Sequence, residues 1–298
     1  MLRSSRRHSP KDERVNLDTL TTRLTALGLP KVDEVLAHAK PATHLKPGGA
    51  VAPESADSRI GGLPLLPSGT PWPRKDGRPL AFVLQVQLDP LPGATTVLGL
   101  PATGLLSFFY DMEGQPWGFD PADRGSFAVV YTEHPDGCAA VPFPDDLGPD
   151  WRIAPVTLKS EPTVTLPSPL DPAFPRHLLT EEEDDRWADA LSDLAEELGW
   201  GERTLLGGYP HLIQGDMRLE CEMVARGGAN AGGPEGYDDP RLEDWKEGSG
   251  EWMHLLQVAS EDDAGLMWGD VGCLYYWIRK YDLEARRFDQ AWLILQCY

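Results

Sequence analysis

The sequence is short of basic residues. Its 298 residues include 27 Lys or Arg against 47 Asp or Glu, so the formal net charge is −20 and the isoelectric point lies near 4.6. Nucleic acids and anionic lipid surfaces are bound mainly through Lys and Arg, so we expect neither a nucleic-acid partner nor a membrane partner. The excess of acids favours a basic protein partner; alternatively, it is no more than a solvated surface.

Cysteines are also few and widely spaced. The four of them, Cys138, Cys221, Cys273 and Cys297, form no C-x-x-C pair. Zinc sites built from thiolates need closely spaced pairs, so a site of this kind is not expected. Single cysteines in apolar runs are typical of core residues in a reducing compartment, which predicts a cytoplasmic protein.

Long apolar stretches are missing as well. No run of about 18 apolar residues is present that would form a membrane span. The basic residues Arg3, Arg6 and Arg7 are not followed by the apolar segment of a secretory signal. We interpret residues 1–14 as a disordered tail and residues 15–298 as a single domain.

Familiar catalytic motifs are not found. The sequence has no H-E-x-x-H and no G-x-S-x-G, and its glycine-rich segment 227–233 lacks the Lys-Ser/Thr pair of a phosphate-binding loop. We therefore predict no cofactor and no metal ligand, and the catalytic residues stay unknown. Whether the protein is an enzyme stays open, and so does its oligomeric state.

The elements that the sequence does contain predict an α+β fold. Leucines at positions 17, 20, 24 and 27 have helical spacing, and with a second short helix they form a helical lead-in over residues 15–45. Residues 46–79 are rich in Pro and Gly, which predicts irregular structure. Three apolar segments are predicted strands: 80–88, 104–110 and 126–133. Residues 135–175 contain only short strand-like runs, at 156–159 and 163–166.

An acidic helix is predicted after Thr180. Thr180 and Glu183 have the spacing of a capping box, an apolar stripe follows, and Gly199 ends the helix. Nine acids and one base lie between residues 180 and 199. Acids early in a helix suit the positive end of its dipole, but this argument does not explain Glu196 and Glu197 at the far end.

The chain has two halves, residues 59–175 and 205–298, with one order of elements. In each half a Gly-Gly-x-Pro segment, at residues 61–64 or 207–210, precedes a strand containing Gln-Val and then an aromatic strand. We infer a duplication in which two antiparallel sheet units share one core, with the acidic helix between them. The repeated segment is then architectural, because Gly permits tight turns and Pro stiffens a loop.

Seven segments together resemble a known family. In chain order they are SRIGGLPLLPSGTPWP, FVLQVQL, GLLSFFY, GGYPHLIQGDM, LLQVAS, WGDVGCLYYWI and FDQAWLILQCY. They are similar to the YwqG-like family of bacterial proteins, over residues 59–298. The resemblance implies an α+β domain with a duplicated, intertwined sheet. It implies no established activity, but some relatives lie near toxin and immunity genes, which implies a binding role.

The second Gly-Gly-x-Pro segment leads into the best candidate site. His211, Asp216 and Glu220 follow it, and a histidine with two carboxylates suits a divalent cation or acid–base chemistry; alternatively, Asp216 caps a helix and Glu220 is solvated. Buried glutamines must satisfy their amides, either by bonding the backbone or by contacting a ligand. The predicted ligand-binding residues are Trp72, Gln85, His211, Gln214, Asp216, Gln257 and Asp270.

Two functional hypotheses remain. The preferred one is a non-enzymatic, immunity-like cytoplasmic protein that neutralises a basic protein partner through its acidic surface. Its predicted contacts are Glu182, Asp185 and Asp189. The alternative is a small-molecule binder or metal-dependent enzyme with a cleft between the two repeats.

Overall fold

The fold combines one large antiparallel sheet with six helices in the part of the chain that the structure describes. The computed structural model describes residues 15–89, 91 and 98–298, so the predicted tail at residues 1–14 lies outside it. The helices are α1 (Leu17–Ala26), α2 (Val32–Leu36), α3 (Glu181–Glu197), α4 (Arg218–Cys221), α5 (Leu242–Ser249) and α6 (Lys280–Glu284). A π-helical turn, Glu222–Arg226, continues α4.

The strands follow in chain order. They are β1 (Lys40–Ala50), β2 (Arg59–Ile60), β3 (Leu65–Leu66), β4 (Arg74–Lys75), β5 (Arg78–Pro79), β6 (Ala81–Gln87), β7 (Leu105–Tyr110), β8 (Phe127–Thr132), β9 (Ala139–Ala140), β10 (Val156–Thr165), β11 (Leu205–Leu206), β12 (Trp252–Ala259), β13 (Cys273–Arg279) and β14 (Trp292–Gln296). Ten of them form one sheet in the spatial order β14-β13-β12-β11-β1-β10-β2-β6-β7-β8. Strands β3 and β9, and strands β4 and β5, form two small ribbons.

The large sheet is nearly closed into a barrel. Its edge strand β14 lies against the loop that follows β7, where the Leu295 N–H donates to the Trp117 carbonyl oxygen at 3.0 Å. The Trp292 indole N–H donates to the Gly118 carbonyl oxygen at 2.8 Å. A Cβ atom at position 118 would lie 1.8 Å from the Leu293 carbonyl oxygen, so the two backbones approach this closely only because residue 118 is glycine.

Most of the predicted elements are confirmed. The three strands predicted in the first half are β6, β7 and β8, and β7 is buried along its whole length, as expected for a strand without a polar face. The acidic helix is α3. Its N-cap is Thr180, and both hydrogen bonds of the capping box with Glu183 are present. Gly199 follows the helix in the left-handed conformation, at φ +61°.

Some segments are more regular than the sequence predicts. The prediction of irregular structure over residues 46–79 is wrong for residues 46–50, which belong to β1, and for the two-residue strands β2 to β5. Strand β1 begins at Lys40, so it also includes the end of the predicted helical lead-in. The two short runs between residues 156 and 166 are joined in one strand, β10. Their prolines argued against strands because proline lacks a donor, yet Pro47 lies opposite Leu158 and Pro162 opposite Thr43 within one long ladder. Pairing with a distant strand outweighed the local preference.

Buried apolar side chains form three clusters. The largest contains side chains from both halves of the sheet together with α4 and α5. A second joins α1, α2 and α3, with Trp187 of α3 fully buried. The third surrounds Trp72, whose ring lies 5.6 Å from Phe109 in an edge-to-face arrangement and whose indole N–H donates to Leu80. The acidic helix is thus anchored by its apolar stripe and leaves its carboxylates outside.

The long strands β1 and β10 pair with each other at the centre of the sheet. On one side, the Leu45 N–H of β1 donates to the Thr204 carbonyl oxygen at 2.9 Å. On the other side, the Leu158 N–H of β10 donates to the Ser58 carbonyl oxygen at 2.8 Å. Strand β1, from the start of the chain, therefore contacts the second half, and β10, from the end of the first half, contacts β2.

Each Gly-Gly-x-Pro segment is bonded to the sheet in the same way. The Gly61 N–H donates to the Val83 carbonyl oxygen at 2.8 Å, and the Gly207 N–H donates to the Leu255 carbonyl oxygen at 3.0 Å. Both acceptors lie at an irregularity where the strand pairing shifts by one residue. Such shifts re-aim neighbouring side chains.

The two halves differ in chemistry at one matched aromatic contact. Phe82 packs on Phe109 with ring centroids 5.4 Å apart, whereas His254 packs on Trp277 at 5.5 Å. The His254 side chain is buried, and its Nδ1–H donates to the Gly207 carbonyl oxygen at 3.2 Å. Burial lowers the pKa of His254 to about 4.

We expect His254→Phe to reduce the loss of stability in acid. Unfolded histidine titrates near pH 6.5 and folded His254 near pH 4, so the unfolded state takes up the proton first as the pH falls. This group alone destabilises the fold between pH 6.5 and 4, by up to about 3 kcal/mol. Urea unfolding at pH 7 and 4.5 should show a loss on acidification about 2 kcal/mol smaller in the variant.

The control for this prediction is His177→Phe, because His177 is exposed. It should leave the difference between the two pH values unchanged. An equal loss on acidification in wild type and His254→Phe would contradict the prediction.

Candidate functional site

A cleft with a volume of about 700 Å³ lies beside the acidic helix. One wall is the inner side of α3, and the segment after β10 forms another. The second Gly-Gly-x-Pro loop and the turn after α3 complete it. The lining residues are mainly apolar: Leu166, Pro167, Pro169, Leu170, Ala188, Leu191, Ala195, Gly199, Trp200, Gly201, Pro210, Leu212, Ile213 and Val271, with the polar residues Ser168, Ser192, Glu196, Glu202, His211, Ser260 and Tyr298.

Two glycines allow the loop at residues 207–213 to enter the cleft. Gly207 and Gly208 have φ angles of +72° and +68°, which side chains other than glycine rarely adopt. A Cβ atom at position 208 would lie 2.4 Å from the Thr165 hydroxyl oxygen. That hydroxyl accepts the Tyr209 N–H at 2.8 Å, so the loop is fastened to the end of β10.

Buried glutamine amides fix the rest of this loop. The Gln257 Oε1 atom accepts the His211 N–H at 2.8 Å, and its Nε2 donates to the carbonyl oxygens of Arg203 (2.9 Å) and Trp200 (3.2 Å). The Gln296 Oε1 atom accepts the backbone N–H groups of residues 213 and 214. The Gln257 side chain, on strand β12, thus ties the loop at 207–213 to the turn after α3.

His211 projects from this fastened backbone into the cleft. Its carbonyl oxygen accepts the Tyr275 hydroxyl at 2.6 Å, and its Nε2 atom lies 3.2 Å from the Tyr298 hydroxyl. Desolvation lowers the pKa of His211, so the ring is neutral at pH 7. A Cβ atom on Gly201 would lie 3.0 Å from the Tyr298 hydroxyl and 3.1 Å from the His211 ring, so a glycine makes room for this pair.

The turn after α3 brings negative charge to the cleft. Glu196 lies in the last turn of the helix, and Glu202 lies in the 3-10 turn Trp200–Glu202 that follows Gly199. The pKa of Tyr298 is raised, chiefly by desolvation and further by Cys273, Glu202 and Glu196. Among the described residues that line the cleft there is no Lys or Arg. Its electrostatic potential therefore favours a cation.

An ion cluster holds the segment after β10 against the second half. The Arg218 guanidinium donates to Asp171 at 2.6 Å and to Asp216 at 2.9 Å. The Asp171 side chain is buried, and it also accepts the Ala173 N–H at 2.7 Å. Burial raises the pKa of Asp216, and Arg218 opposes this shift. The cluster lies beside the cleft and positions its wall.

The structure distributes the predicted ligand-binding residues over several places. His211 lines the cleft and Gln257 holds it from behind, while the Gln214 side chain donates to the Cys297 carbonyl oxygen at 2.9 Å. Asp270 is exposed, and its carbonyl oxygen accepts the Tyr298 N–H at 3.1 Å. Asp216 belongs to the ion cluster.

Two of the predicted ligand-binding residues lie in the first half. Trp72 is in the third apolar cluster. The Gln85 Nε2 atom donates to the carbonyl oxygens of Ser55 and Asp57, both at 3.0 Å. Neither side chain lines the cleft.

The histidine and two carboxylates predicted to approach one another have separate partners. His211 contacts Tyr298, Asp216 pairs with Arg218, and Glu220 accepts the Tyr237 hydroxyl at 2.9 Å. In the described ranges no group of three His, Cys, Asp or Glu side chains is arranged to hold a metal ion.

Several lining residues escaped the sequence analysis. The turn at residues 199–202 contains Trp200 and Glu202. Its signal in the sequence is a second glycine, Gly201, two positions after the helix-ending Gly199. Tyr298 gave no signal, because its contact with His211 joins positions 87 residues apart. The prolines within residues 166–170 predict an irregular segment and do not indicate that it forms a wall of the cleft.

Two of the three serine hydroxyls that line the cleft have backbone partners. The Ser260 hydroxyl donates to the Gly272 carbonyl oxygen and accepts the Trp268 N–H, and the Ser168 hydroxyl accepts the Leu170 N–H. A nucleophile needs a hydrogen-bonded base, and in the described contacts neither serine is bonded to His211. Apolar walls, a neutral imidazole and carboxylates instead suit a ligand with an apolar body and a positive group.

These features define an α+β protein with a nearly closed antiparallel sheet and a cleft at its side. The chain belongs to the family described as Domain of unknown function (DUF1963), which matches residues 58–297. The match begins just before β2 and includes both Gly-Gly-x-Pro segments and every residue that lines the cleft except Tyr298. No curated protein matches the chain.

None of the helices in residues 15–89, 91 and 98–298 is both long enough and apolar enough to cross a bilayer.

We expect Gln257→Ala to release the His211 loop. The change removes the acceptor of the His211 N–H and the donor to the turn after α3, and it should lower the free energy of unfolding by about 1–3 kcal/mol. Hydrogen exchange read by mass spectrometry should be faster in peptides covering residues 205–215.

Gln85→Ala is the matched control. It removes the equivalent buried amide of the first half and should cost a similar stability, but exchange at residues 205–215 should stay as in wild type. Unchanged exchange there in both variants would contradict the role assigned to Gln257.

Proposed function

We propose that the chain is a non-enzymatic binding protein that takes up a segment of a basic protein partner. The segment enters the cleft beside α3 with apolar residues, and the acidic surface of the helix contacts positive charge around it. We further propose that the family match corresponds to the YwqG-like resemblance, and that the protein acts in the cytoplasm. The free thiols of all four cysteines support a reducing compartment.

The observation that carries this proposal is the cleft itself. Its volume of about 700 Å³ lies within the range of ligand sites, roughly 300–1,000 Å³. Its walls are mainly apolar and its backbone is held by buried amides. A site that is already formed loses little entropy on binding, so it suits recognition.

The charge around the cleft gives the second support. Three of the nine carboxylates between residues 180 and 199 form ion pairs: Glu183 with Lys31, Asp184 with Arg176, and Glu197 with Arg23. The other six have no ion-pair partner among the described residues. Those six are Glu181, Glu182, Asp185, Asp189, Asp193 and Glu196. Unpaired like charge on one face attracts an oppositely charged surface and accelerates association.

An internal duplication explains why the site lies in one half. We propose that the two halves are copies intertwined through β1 and β10, because their hydrogen bonds to Thr204 and Ser58 match and the two Gly-Gly-x-Pro contacts match. By this correspondence, Leu65 of the short strand β3 occupies the position of His211. In the first copy the next residue, Leu66, packs in the Trp72 cluster, while the second copy keeps an open cleft.

A second candidate function is the binding of a free small molecule in the same cleft. The volume and the His211–Tyr298 pair favour it. A catalytic role would use His211 and the Tyr298 hydroxyl as an acid–base pair. It would further require a third group that orients this pair and a position beside it for the reacting atom.

The first test of the proposed function is a cleft-filling variant. Ser192 is exposed on α3 and lines the cleft, so Ser192→Trp should block the cleft without disturbing the core. In affinity capture from lysate of the source organism at low salt, it should abolish recovery of the basic protein held by wild type. Thr22→Trp, at an exposed position of α1, should leave recovery intact. Equal recovery with both variants would exclude the cleft as the docking site.

A second test addresses the acidic surface. Reversing Glu182, Asp185 and Asp189 to Lys should lower the association rate constant with the captured partner by about tenfold or more at low salt. The control reverses three exposed acids of the first half to Lys: Asp136, Asp145 and Asp150. It makes the same change in net charge, so a similar loss in both variants would show an unspecific charge effect and refute docking on α3.

A further inference from the structure

The cleft has a chemically distinct end where α3 stops. Glu196, Glu202, His211 and Tyr298 all line it. The raised pKa of the Tyr298 phenol reflects desolvation and the nearby charges, Glu202 and Glu196 among them. His211 lies within 3.2 Å of the same hydroxyl. Two carboxylates, a hydroxyl and a neutral imidazole are thus gathered at one end of an apolar cleft.

We infer that this end of the cleft recognises one alkyl cation, the side chain of a Lys or Arg within the partner segment. This inference rests on the proposed function and names the chemical group of the partner that the cleft binds. The stem lies along the apolar wall, and the ammonium or guanidinium group meets the carboxylates of Glu196 and Glu202. Long basic side chains bury their stems in this way while the charged head keeps polar partners.

The position of Glu196 is the first argument. The end of a helix carries partial negative charge, so an acid there is unfavourable unless a cation is near. At the end of α3, Glu197 pairs with Arg23, but Glu196 has no ion-pair partner among the described residues. A cation supplied by a ligand would satisfy both Glu196 and the helix end.

The neutrality of His211 is the second argument. A protonated imidazole would compete with the ligand for the carboxylates. Desolvation lowers the pKa of His211 and keeps the ring uncharged at neutral pH. No Lys or Arg is found among the described lining residues, so a cation that pairs with Glu196 and Glu202 is supplied from outside the cleft.

The apolar wall is the third argument. Leu212 and Ile213 follow His211 in the loop, and Trp200 precedes Glu202 in the turn. Both backbone segments are held by the Gln257 amide. The wall and the charged end are therefore fixed relative to each other, as recognition of a stem with a terminal charge requires.

Binding of small side-chain probes to the full chain tests the inference. The probes are the blocked amino acids N-acetyl-lysine methylamide and N-acetyl-arginine methylamide, with N-acetyl-norleucine methylamide as the uncharged analogue. Titrations followed by amide NMR shifts should show saturable changes at residues 199–213 for the two cations. The norleucine probe should bind about tenfold more weakly or worse, because it lacks the charge-assisted hydrogen bonds.

Matched variants identify the carboxylates. Glu196→Gln together with Glu202→Gln should weaken binding of the lysine probe by about tenfold or more. Glu197→Gln is the control, since Glu197 is exposed and pairs with Arg23 outside the cleft, and it should leave the affinity unchanged. Equal affinity for lysine and norleucine probes, or no loss in the double variant, would overturn the inference.

Two further outcomes separate this inference from the proposed function. If the lysine probe fails to bind while Ser192→Trp still abolishes partner capture, the cation site is wrong and the docking cleft stands. Tighter binding of n-hexylamine than of the blocked lysine would assign the site to a free amine and overturn the assignment to a protein side chain.

Discussion

The antiparallel pair β1·β10 is the contact on which the rest of the structure depends. It joins residues more than a hundred positions apart, and each strand extends the sheet toward a different half of the chain. The loop that follows β10 is thereby placed beside the second half, where Thr165 accepts the Tyr209 N–H. Without this pairing, the proline-rich wall and the His211 loop would not face each other.

Buried amides convert this arrangement into a rigid site. A glutamine in a sheet core is costly unless all its hydrogen-bonding groups are used, and Gln257 uses them on the loop at 207–213 and the turn after α3. Because each polar group of the buried amide needs a partner, Gln257 holds the loop and the turn in place. Gln296 does the same for the next part of the loop.

The acidic helix α3 contributes both to an apolar cluster and to the wall of the cleft. Its apolar stripe completes a cluster with α1 and α2, which fixes its orientation, and its inner side then lines the cleft. The carboxylates near Thr180 favour the helix through its dipole. Those near Gly199 oppose the dipole, so they are better understood from the cleft and the Arg23 pair than from the helix alone.

The sequence by itself determined the local elements and their order. Alternation and apolar runs identified β6, β7 and β8, and the Thr180–Glu183 pair identified the start of α3, because these signals depend only on neighbouring residues. Only the tertiary structure decided that the proline-containing β1 is a strand and that the runs at 156–159 and 163–166 join in β10, since their hydrogen bonds come from distant partners. It also decided the site: His211 meets Tyr298, and Arg218 pairs with the distant Asp171 as well as with Asp216. Spacing along the chain does not encode such meetings, because sheet register and loop packing bring the residues together.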